Sequence, residues 1–330
     1  MNYYFAPMEG ITGYIFRNTF HRYYAGIDRY YAPFISPAKE ASMTWRERKE
    51  LLAEHNEGIC VVPQVLTNRA DFFIRAVRDL SEMGYREVNL NLGCPSGTVV
   101  AKGKGSGFLA RPDELEQFFD QVFACKEIKD QKISVKTRLG KNSPEEFEEL
   151  LQIYNWYPIS ELTIHPRIQK EFYKGKVRME SFDYALKNSR NPLVYNGDLC
   201  TLNDLSAIRQ HLEAKKAEAE VTALMIGRGL LQNPELIEWQ RMKENGKKDG
   251  AETEYRPDYR RLKAFHDELY DRYKEVMSPD KNVLYRMKEI WSFLANAFPE
   301  SGREIKNLRK SERFAEYEGA VMLLFQKYIF

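Results

Sequence analysis

The chain has little cysteine, with four in 330 residues, and their positions show neither the paired spacing of a zinc site nor the density of a disulfide framework. It also lacks any apolar run near the roughly 20 residues of a membrane span. The first residues lack a basic start followed by an apolar signal core. We therefore expect a reduced, cytoplasmic protein without a membrane partner and without a metal site.

An excess of charge is absent as well, because 50 Lys and Arg face 48 Asp and Glu. This balance argues against purely electrostatic binding to nucleic acid, although a local basic face is compatible with it. Aromatic residues are abundant at 13%. They suit either an ordinary core or stacking surfaces for cofactor rings and bases, so composition leaves the partner open.

Short β-rich runs, each followed by a longer amphipathic segment, recur along the chain. The runs cover residues 3–7, 29–34, 60–66, 87–92, 133–138, 161–165, 193–196 and 223–226. The helix-like stretches between them include 69–83, 112–126, 144–154 and 202–214. Alternating strands and helices predict a parallel α/β sheet. Eight such units in about 240 residues fit a (β/α)8 TIM barrel better than an open doubly wound sheet.

The pattern changes after about residue 245. Gly246–Gly250 has the composition of a linker, and Leu262, Phe265 and Leu269 lie at the helical spacing of a packing stripe. Helices are predicted over residues 259–276, 283–298, 301–308 and 314–330. We predict a barrel domain at residues 1–245 and a C-terminal all-helical domain at residues 246–330.

Polar or reactive residues stand at nearly every predicted strand end. They are Met8–Gly10, Gln64, Asn91, Cys94, Lys136, Arg138, His165, Arg167, Asn196–Asp198 and Gly227–Gly229. Any one of them could be an ordinary core or cap residue. In a barrel, however, the carboxyl ends of the strands meet at one face, where active sites are built. Their shared position therefore predicts an active site at this face.

Three of these positions indicate particular chemistry. Cys94 precedes a Gly/Pro turn, where its thiol could be a nucleophile, a proton donor, a metal ligand or a core filler. Gly197 and the Gly227–Gly229 turn follow the last two strands, where barrels commonly bind phosphate; the alternative is that these glycines only form tight turns. Lys136 requires an anionic or electron-rich partner, such as the N1/O2 edge of a reduced flavin.

Seven motifs occur in an order that matches a known family. They are Pro7–Thr12, Pro63-Gln64, Asn89–Pro95, Val135–Arg138, Ile164–Arg167, Asn196–Asp198 and Ile226–Gly229. Together they resemble the tRNA-dihydrouridine synthases, flavoenzymes that reduce specific uridines in tRNA, and within the family the bacterial members. The resemblance covers the whole chain, and the helical tail matches in kind and size.

The resemblance implies FMN as the cofactor, NADPH as the reductant and tRNA as the partner. The implied FMN-binding residues are Pro7, Met8, Gln64, Lys136, His165, Asn196, Gly197, Asp198, Gly227 and Arg228. The implied substrate-binding residues are Asn91, Arg138 and Arg167. Hydride would pass from the flavin to C6 of uracil, and Cys94 would give the proton to C5. A thiol with an ordinary pKa is mostly protonated at neutral pH and suits this role.

The loop after Cys94 and the helical tail would complete the site. The glycine-rich, basic segment 96–107 would form a mobile lid, against the alternative of a flexible surface loop. The tail carries basic residues that would contact RNA phosphates: Lys281, Arg286, Lys288, Arg303, Lys306, Arg309, Lys310 and Arg313.

Two other functions are weighed against this one. A small-molecule FMN oxidoreductase, such as a dihydroorotate-dehydrogenase-like enzyme, would explain the barrel and Lys136 but leaves the helical tail without a role. An RNA-binding barrel without catalysis leaves Cys94, Lys136 and Arg228 unexplained.

Overall fold

The computed structural model describes residues 1–217, 220–246 and 256–329. Within them one parallel sheet has the strand order β3-β2-β1-β9-β8-β7-β6-β5-β4. The strands are β1 (Asn2–Phe5), β2 (Arg29–Tyr31), β3 (Val61–Val62), β4 (Gln64–Val65), β5 (Glu87–Leu92), β6 (Lys132–Gly140), β7 (Leu162–Ile168), β8 (Leu193–Tyr195) and β9 (Val221–Ile226). Each predicted β-rich run overlaps a strand.

The sheet returns on itself at Pro63, which separates β3 from β4. Proline has no N–H to donate and interrupts the strand, while the Pro63 carbonyl still accepts a hydrogen bond from the Asn89 N–H at 2.9 Å. β3 pairs with β2 and β4 pairs with β5, so the two halves of this interrupted strand join the edges of the sheet. The result is a nearly closed parallel barrel, which confirms the predicted TIM-barrel class.

Helices follow most strands and form the C-terminal region, as predicted. In the barrel part of the sequence they are α1 (Tyr14–Tyr23), α2 (Trp45–Lys49), α3 (Ala70–Glu82), α4 (Gly97–Val100), α5 (Pro112–Ala124), α6 (Glu146–Asn155), α7 (Met179–Asn188), α8 (Leu202–Lys215), α9 (Arg228–Gln232) and α10 (Leu236–Glu244). The C-terminal helices are α11 (Tyr259–Val276), α12 (Asp280–Leu294), α13 (Gly302–Lys310) and α14 (Phe314–Ile329). None of these helices has the length and apolar character needed to cross a membrane.

The chain forms two compact units that are interleaved in sequence. The first comprises Met1–Pro7, Asp28–Asp198 and Ala207–Ile226, and it contains every strand of the sheet. The second comprises Met8–Ile27, Leu199–Ser206 and Gly227–Phe330. These bounds differ from the predicted division at residues 1–245 and 246–330, whose functional roles stay predictions. Of the predicted linker Gly246–Gly250, all but Gly246 lies outside the described residues.

An aromatic core holds the second unit together. The ring of Phe265 on α11 packs against those of Phe16, Phe20 and Tyr24, with centroids 5.9, 6.2 and 5.3 Å away. Leu262 and Leu269 are buried beside it, as the helical spacing predicted. Helix α1 therefore packs with the C-terminal helices, although in sequence it follows the first barrel strand.

Candidate active site

The backbone around Cys94 is held from both sides. Strand β5 ends at Leu92, and the N–H groups of Gly93 and Cys94 both donate to Asn91 Oδ1, at 3.0 and 2.9 Å. The Cys94 carbonyl accepts hydrogen bonds from the Ser106 N–H at 3.1 Å and from Ser106 Oγ at 2.7 Å. The half-buried side chain of Cys94 is thus presented from a fixed loop at the carboxyl end of β5.

The segment after Cys94 is folded back tightly on that residue. It forms the short helix α4 and then a 3₁₀ turn at Gly105–Ala110. Gly105 has φ +54°, and a Cβ there would lie 2.9 Å from the Cys94 carbonyl oxygen. A Cβ at Gly107 would lie 2.7 Å from the Val100 carbonyl oxygen. Glycine is therefore required at both positions for the turn to reach Cys94.

Three side-chain amides hydrogen-bond to one another beside this loop. Asn91 Nδ2 donates to Gln64 Oε1, and Gln64 Nε2 donates to Asn89 Oδ1, both at 2.7 Å. All three side chains are buried. Asn89 and Asn91 alternate along β5, so they project to the same side of the sheet. Gln64, predicted to bind a flavin ring, and Asn91, predicted to bind uracil, are thus in direct contact.

The same row of polar groups continues to the amino ends of the strands. Asn89 Nδ2 donates to Ser134 Oγ at 3.0 Å, and Ser134 Oγ donates to Glu87 Oε1 at 2.7 Å. Arg29 donates from one nitrogen, Nη1, to Glu87 Oε2 and to Glu161 Oε2, each at 3.1 Å. Since these residues come from strands that are not all neighbours in the sheet, the contacts run through the barrel interior.

Sequence reasoning missed this amino-end cluster of Arg29, Glu87, Glu161 and Ser134. Only one signal for it was available, namely the alternation of polar residues at positions 87, 89 and 91 within a strand that is otherwise apolar. Such alternation marks one face of a strand as polar.

Lys136 on β6 lies beside these amides, in register with Asn91 on β5 and Thr163 on β7. Burial, with a smaller contribution from the charge of Arg138, lowers its pKa to about 7, and Cys94 acts in the opposite direction. Among the described residues, none accepts a hydrogen bond or an ion pair from the Lys136 ammonium group. A desolvated cation in this position suits an anionic or electron-rich ligand.

Arg138, predicted to contact substrate, is buried and bonded to the backbone. Its Nε donates to the Gly93 carbonyl at 2.9 Å and its Nη1 to the Ile168 carbonyl at 3.1 Å. The guanidinium also lies over the Tyr173 ring, 5.5 Å from the centroid. Burial lowers the pKa of Arg138. Through Gly93, this side chain fixes the turn that carries Cys94.

Arg167, also predicted to contact substrate, joins two residues predicted to bind the cofactor. Its Nη1 donates to His165 Nε2 at 3.1 Å and to Asp198 Oδ1 at 2.8 Å, and its Nη2 donates to Asp198 Oδ2. A guanidinium only donates, so His165 Nε2 is the acceptor and the ring proton lies on Nδ1. Arg167 thereby fixes both the tautomer of His165 and the position of Asp198.

The remaining predicted phosphate-site residues of the first unit follow β8. Asn196 Nδ2 donates to the Met225 carbonyl at 2.8 Å. Gly197 packs so closely that a Cβ would lie 2.8 Å from both the Tyr195 hydroxyl and a Val177 methyl. Asp198 has φ +36°. This segment is thus a tight turn held by its neighbours.

The other predicted cofactor residues follow β1 and β9. Pro7 is half-buried. Met8 N–H donates to Thr12 Oγ1 at 2.8 Å, which forms a compact turn. Gly227 caps the short helix α9, whose first residue is Arg228. Met8, Gly227 and Arg228 belong to the second unit, whereas Pro7 belongs to the first.

Comparison with known proteins identifies the family. A family model described as dihydrouridine synthase (Dus) matches residues 4–320. The chain belongs to the dihydrouridine synthase family. It is 28% identical over 238 residues to a probable tRNA-dihydrouridine synthase of Staphylococcus aureus, covering 69% of this chain and 68% of that protein. It is 27% identical over 286 residues to probable tRNA-dihydrouridine synthase 2 of Bacillus subtilis, covering 84% and 80%.

These matches confirm the resemblance seen in the motifs, and the activity is that of a tRNA-dihydrouridine synthase, an oxidoreductase that reduces uridine in tRNA. A solved variant of NCR from Zymomonas mobilis superposes with a TM-score of 0.49 at 15% identity, over 80% of this chain and 94% of that one. Within the described ranges, no group of three His, Cys, Asp or Glu side chains could hold a metal ion.

Proposed function

We propose that this dihydrouridine synthase uses FMN as its cofactor and NADPH as its reductant, with Cys94 as the proton donor. The observation that carries the proposal is the arrangement around Cys94. Its half-buried thiol stands on a loop that Asn91 and Ser106 fix, next to the Lys136 cation. A thiol, an amide and a cation at the carboxyl ends of barrel strands suit the reduction of a conjugated double bond.

Lys136 provides the test of whether the site fits a flavin. The Lys136 side chain is half-buried, and a partly desolvated ammonium group costs free energy unless it is paired; no described residue pairs with this one. The N1/O2 edge of a reduced flavin carries negative charge and would supply that pairing. Gln64 would donate or accept at the ring, and His165 would donate from Nδ1.

The other cofactor contacts in the proposal follow the family resemblance. Pro7 and Met8 would line the flavin. Asn196, Gly197, Asp198, Gly227 and Arg228 would hold the ribityl phosphate. When bound, FMN would supply the hydride that adds to C6 of uracil. Asn91 would orient the uracil ring, and Arg138 and Arg167 would lie near the substrate. Arg138 also holds the Gly93 turn.

Cys94 would complete the reduction. Addition of hydride at C6 leaves enolate character toward the C4 carbonyl, so C5 requires a proton. The Cys94 Sγ–H bond breaks, the C5–H bond forms, and the thiolate then regains a proton from solvent. The half-exposed position of Cys94 allows that exchange. A target base would leave the tRNA stack to reach this depth.

For the tRNA itself, we propose the helical tail at 246–330 as the main contact surface. Helix α13 exposes Arg303, Lys306, Arg309 and Lys310 on one element. Basic side chains of this kind bind phosphate and position the RNA. A cytoplasmic location accords with a tRNA substrate. The family match favours this function over a dihydroorotate-dehydrogenase-like oxidoreductase and over a non-catalytic RNA-binding protein.

The test is replacement of the thiol. We expect Cys94→Ala to keep the flavin absorption spectrum of the purified protein and to lose at least about 100-fold in dihydrouridine formation, because a general acid contributes about 10²–10⁴-fold. Cys125→Ala is the matched control, since Cys125 is another half-buried free cysteine, at the end of α5. A colourless protein that takes up no FMN would overturn the cofactor assignment. Turnover of Cys94→Ala equal to that of the control would overturn the proton-donor role.

A further inference from the structure

The hydrogen bonds between Glu87 and Cys94 form an unbroken chain through the barrel interior, and every link has a direction. Ser134 Oγ donates to Glu87, Asn89 donates to Ser134, and Gln64 donates to Asn89. Asn91 then donates to Gln64 and accepts from the Gly93 and Cys94 N–H groups. Each amide uses its nitrogen toward the amino ends of the strands and its oxygen toward the Cys94 loop.

The two ends of the chain require the same direction independently. An ionised carboxylate such as Glu87 only accepts, so Ser134 must donate to it and must therefore accept from Asn89. At the other end, backbone N–H groups only donate, so Asn91 must turn its oxygen toward Cys94. An amide flipped at any intermediate position would face nitrogen with nitrogen or oxygen with oxygen. The orientation of every link is thus fixed by the ends.

We infer that Glu87 and Ser134, at the amino ends of the strands, are positioning residues that act jointly with the N–H groups of the Cys94 loop to fix which atoms Gln64 and Asn91 present at the carboxyl ends. The side-chain NH₂ groups of Gln64 and Asn91 each have a second N–H beside the one used in the chain. The orientation of the amide also sets the direction of this second N–H. The bond from Arg29 Nη1 to Glu87 Oε2 holds the carboxylate in place. The consequence for catalysis rests on the proposed function, in which Gln64 contacts the flavin and Asn91 contacts the uracil.

Removal of the Ser134 hydroxyl cuts the chain between Glu87 and Asn89. Ser134→Ala leaves Asn89 Nδ2 without its acceptor, so the amides are then held in position only from the Cys94 loop. The matched control is Thr137→Val on the same strand β6. It removes another buried hydroxyl, one that contacts Tyr154 and the Arg138 carbonyl and takes no part in the chain.

The experiment has two readouts. The first is the side-chain amide NMR signals of Gln64 and Asn91 in the full-length protein, assigned with Gln64→Ala and Asn91→Ala. The second is the visible spectrum of bound FMN together with kcat and KM for tRNA. We expect Ser134→Ala to shift both amide signals, to shift the flavin band and to lower kcat about tenfold with KM for tRNA unchanged. Ser134→Thr should restore wild-type values, and Thr137→Val should retain them.

The two proposals fail in different ways. If the wild-type protein takes up no FMN, the proposed function falls, and the amide signals alone decide the inference. Amide signals of Gln64 and Asn91 that move no more in Ser134→Ala than in Thr137→Val would overturn it, with or without flavin. In the FMN-bound protein, an unchanged flavin band and kcat would overturn it too. If Ser134→Ala does not fold, Ser134→Cys takes its place, because a thiol fills a similar space but forms only weak hydrogen bonds. The same outcomes then decide the inference.

Discussion

The two ends of the barrel interior in the first unit can be compared through one cation at each, Arg29 at the amino end and Lys136 toward the carboxyl end. At the amino end, Arg29 lies between Glu87 and Glu161, and Tyr4 and Thr222 donate to the second carboxylate. At the carboxyl end, the Lys136 ammonium has no acceptor among the described residues, and burial lowers its pKa. Burial of a charge is tolerated when the protein supplies its partner. The amino end is therefore complete without a ligand, whereas the carboxyl end is suited to receive one.

The largest effect on stability is expected from breaking the amino-end cluster. Arg29→Met leaves two carboxylates unpaired, and burial already raises the pKa of Glu87. We expect a loss of about 3 kcal/mol in the free energy of unfolding, at the low end for buried ion pairs because the Arg29 side chain is 30% exposed. Unfolding by denaturant measures this loss of stability.

The control for Arg29 is an ion pair on the surface. Arg69 binds Asp71 with side chains that are 60% and 58% exposed, so Arg69→Met should cost less than about 1 kcal/mol. Adding Glu87→Gln and Glu161→Gln to Arg29→Met should recover part of the loss, because no buried charge then remains unpaired. A loss at Arg29 no greater than that at Arg69 would show that the amino-end cluster is not a structural ion pair.

At the carboxyl end, removal of a charged side chain is expected to stabilise the flavin-free protein rather than destabilise it. The pKa of Lys136 is about 7 in the folded protein and 10.5 in the unfolded chain, so between these pH values the unfolded chain binds more protons and stability rises with pH. The destabilisation of the flavin-free protein by this lysine is therefore greatest below pH 7. Lys136→Met should raise the melting temperature of flavin-free protein at pH 6, with a smaller gain at pH 9.5, and should weaken FMN binding. Lys132→Met, at an exposed position of the same strand, is the control. A gain that is equal at both pH values would contradict the assignment.

The contrast between the two ends also explains what sequence could predict. Cys94 was predictable because it directly follows a strand, and the barrel class followed from eight β-rich runs. Lys136 was predicted at a strand end but lies in the middle of β6, because the strand continues through Arg138 and Leu139 to Gly140. Arg29, Glu87 and Glu161 lie at the starts of strands, where charge is ordinarily solvent-exposed. Their meeting depends on the register of strands far apart in sequence, such as Glu87 opposite Lys132, which periodicity does not encode.

Local chemistry accounts for the smaller differences. Pro63 divides the predicted run 60–66 into β3 and β4 because it removes a donor. Helix α12 begins at Asp280, three residues before the predicted start, directly after Pro279. The substrate role of Arg167 was implied by the family resemblance and stays a prediction. The bonds of this arginine to His165 and Asp198 depend on the turn after β8, which only the fold brings near.

The smallest predicted effect separates two tyrosines of the amino end that differ in one hydrogen bond. Tyr4 and Tyr31 are both buried, with ring centroids 5.8 Å apart. The Tyr4 hydroxyl donates to Glu161 Oε1 at 2.9 Å, whereas the Tyr31 hydroxyl finds no partner among the described residues. Tyr4→Phe should cost about 1–2 kcal/mol in the free energy of unfolding, since the bond is to a carboxylate. Tyr31→Phe should cost nothing or stabilise the protein, because it removes a buried polar group without a partner. Urea unfolding of the two variants compares their stabilities directly. Equal losses of stability would mean that a hydrogen-bond partner makes no difference to the buried hydroxyl groups at this end of the barrel.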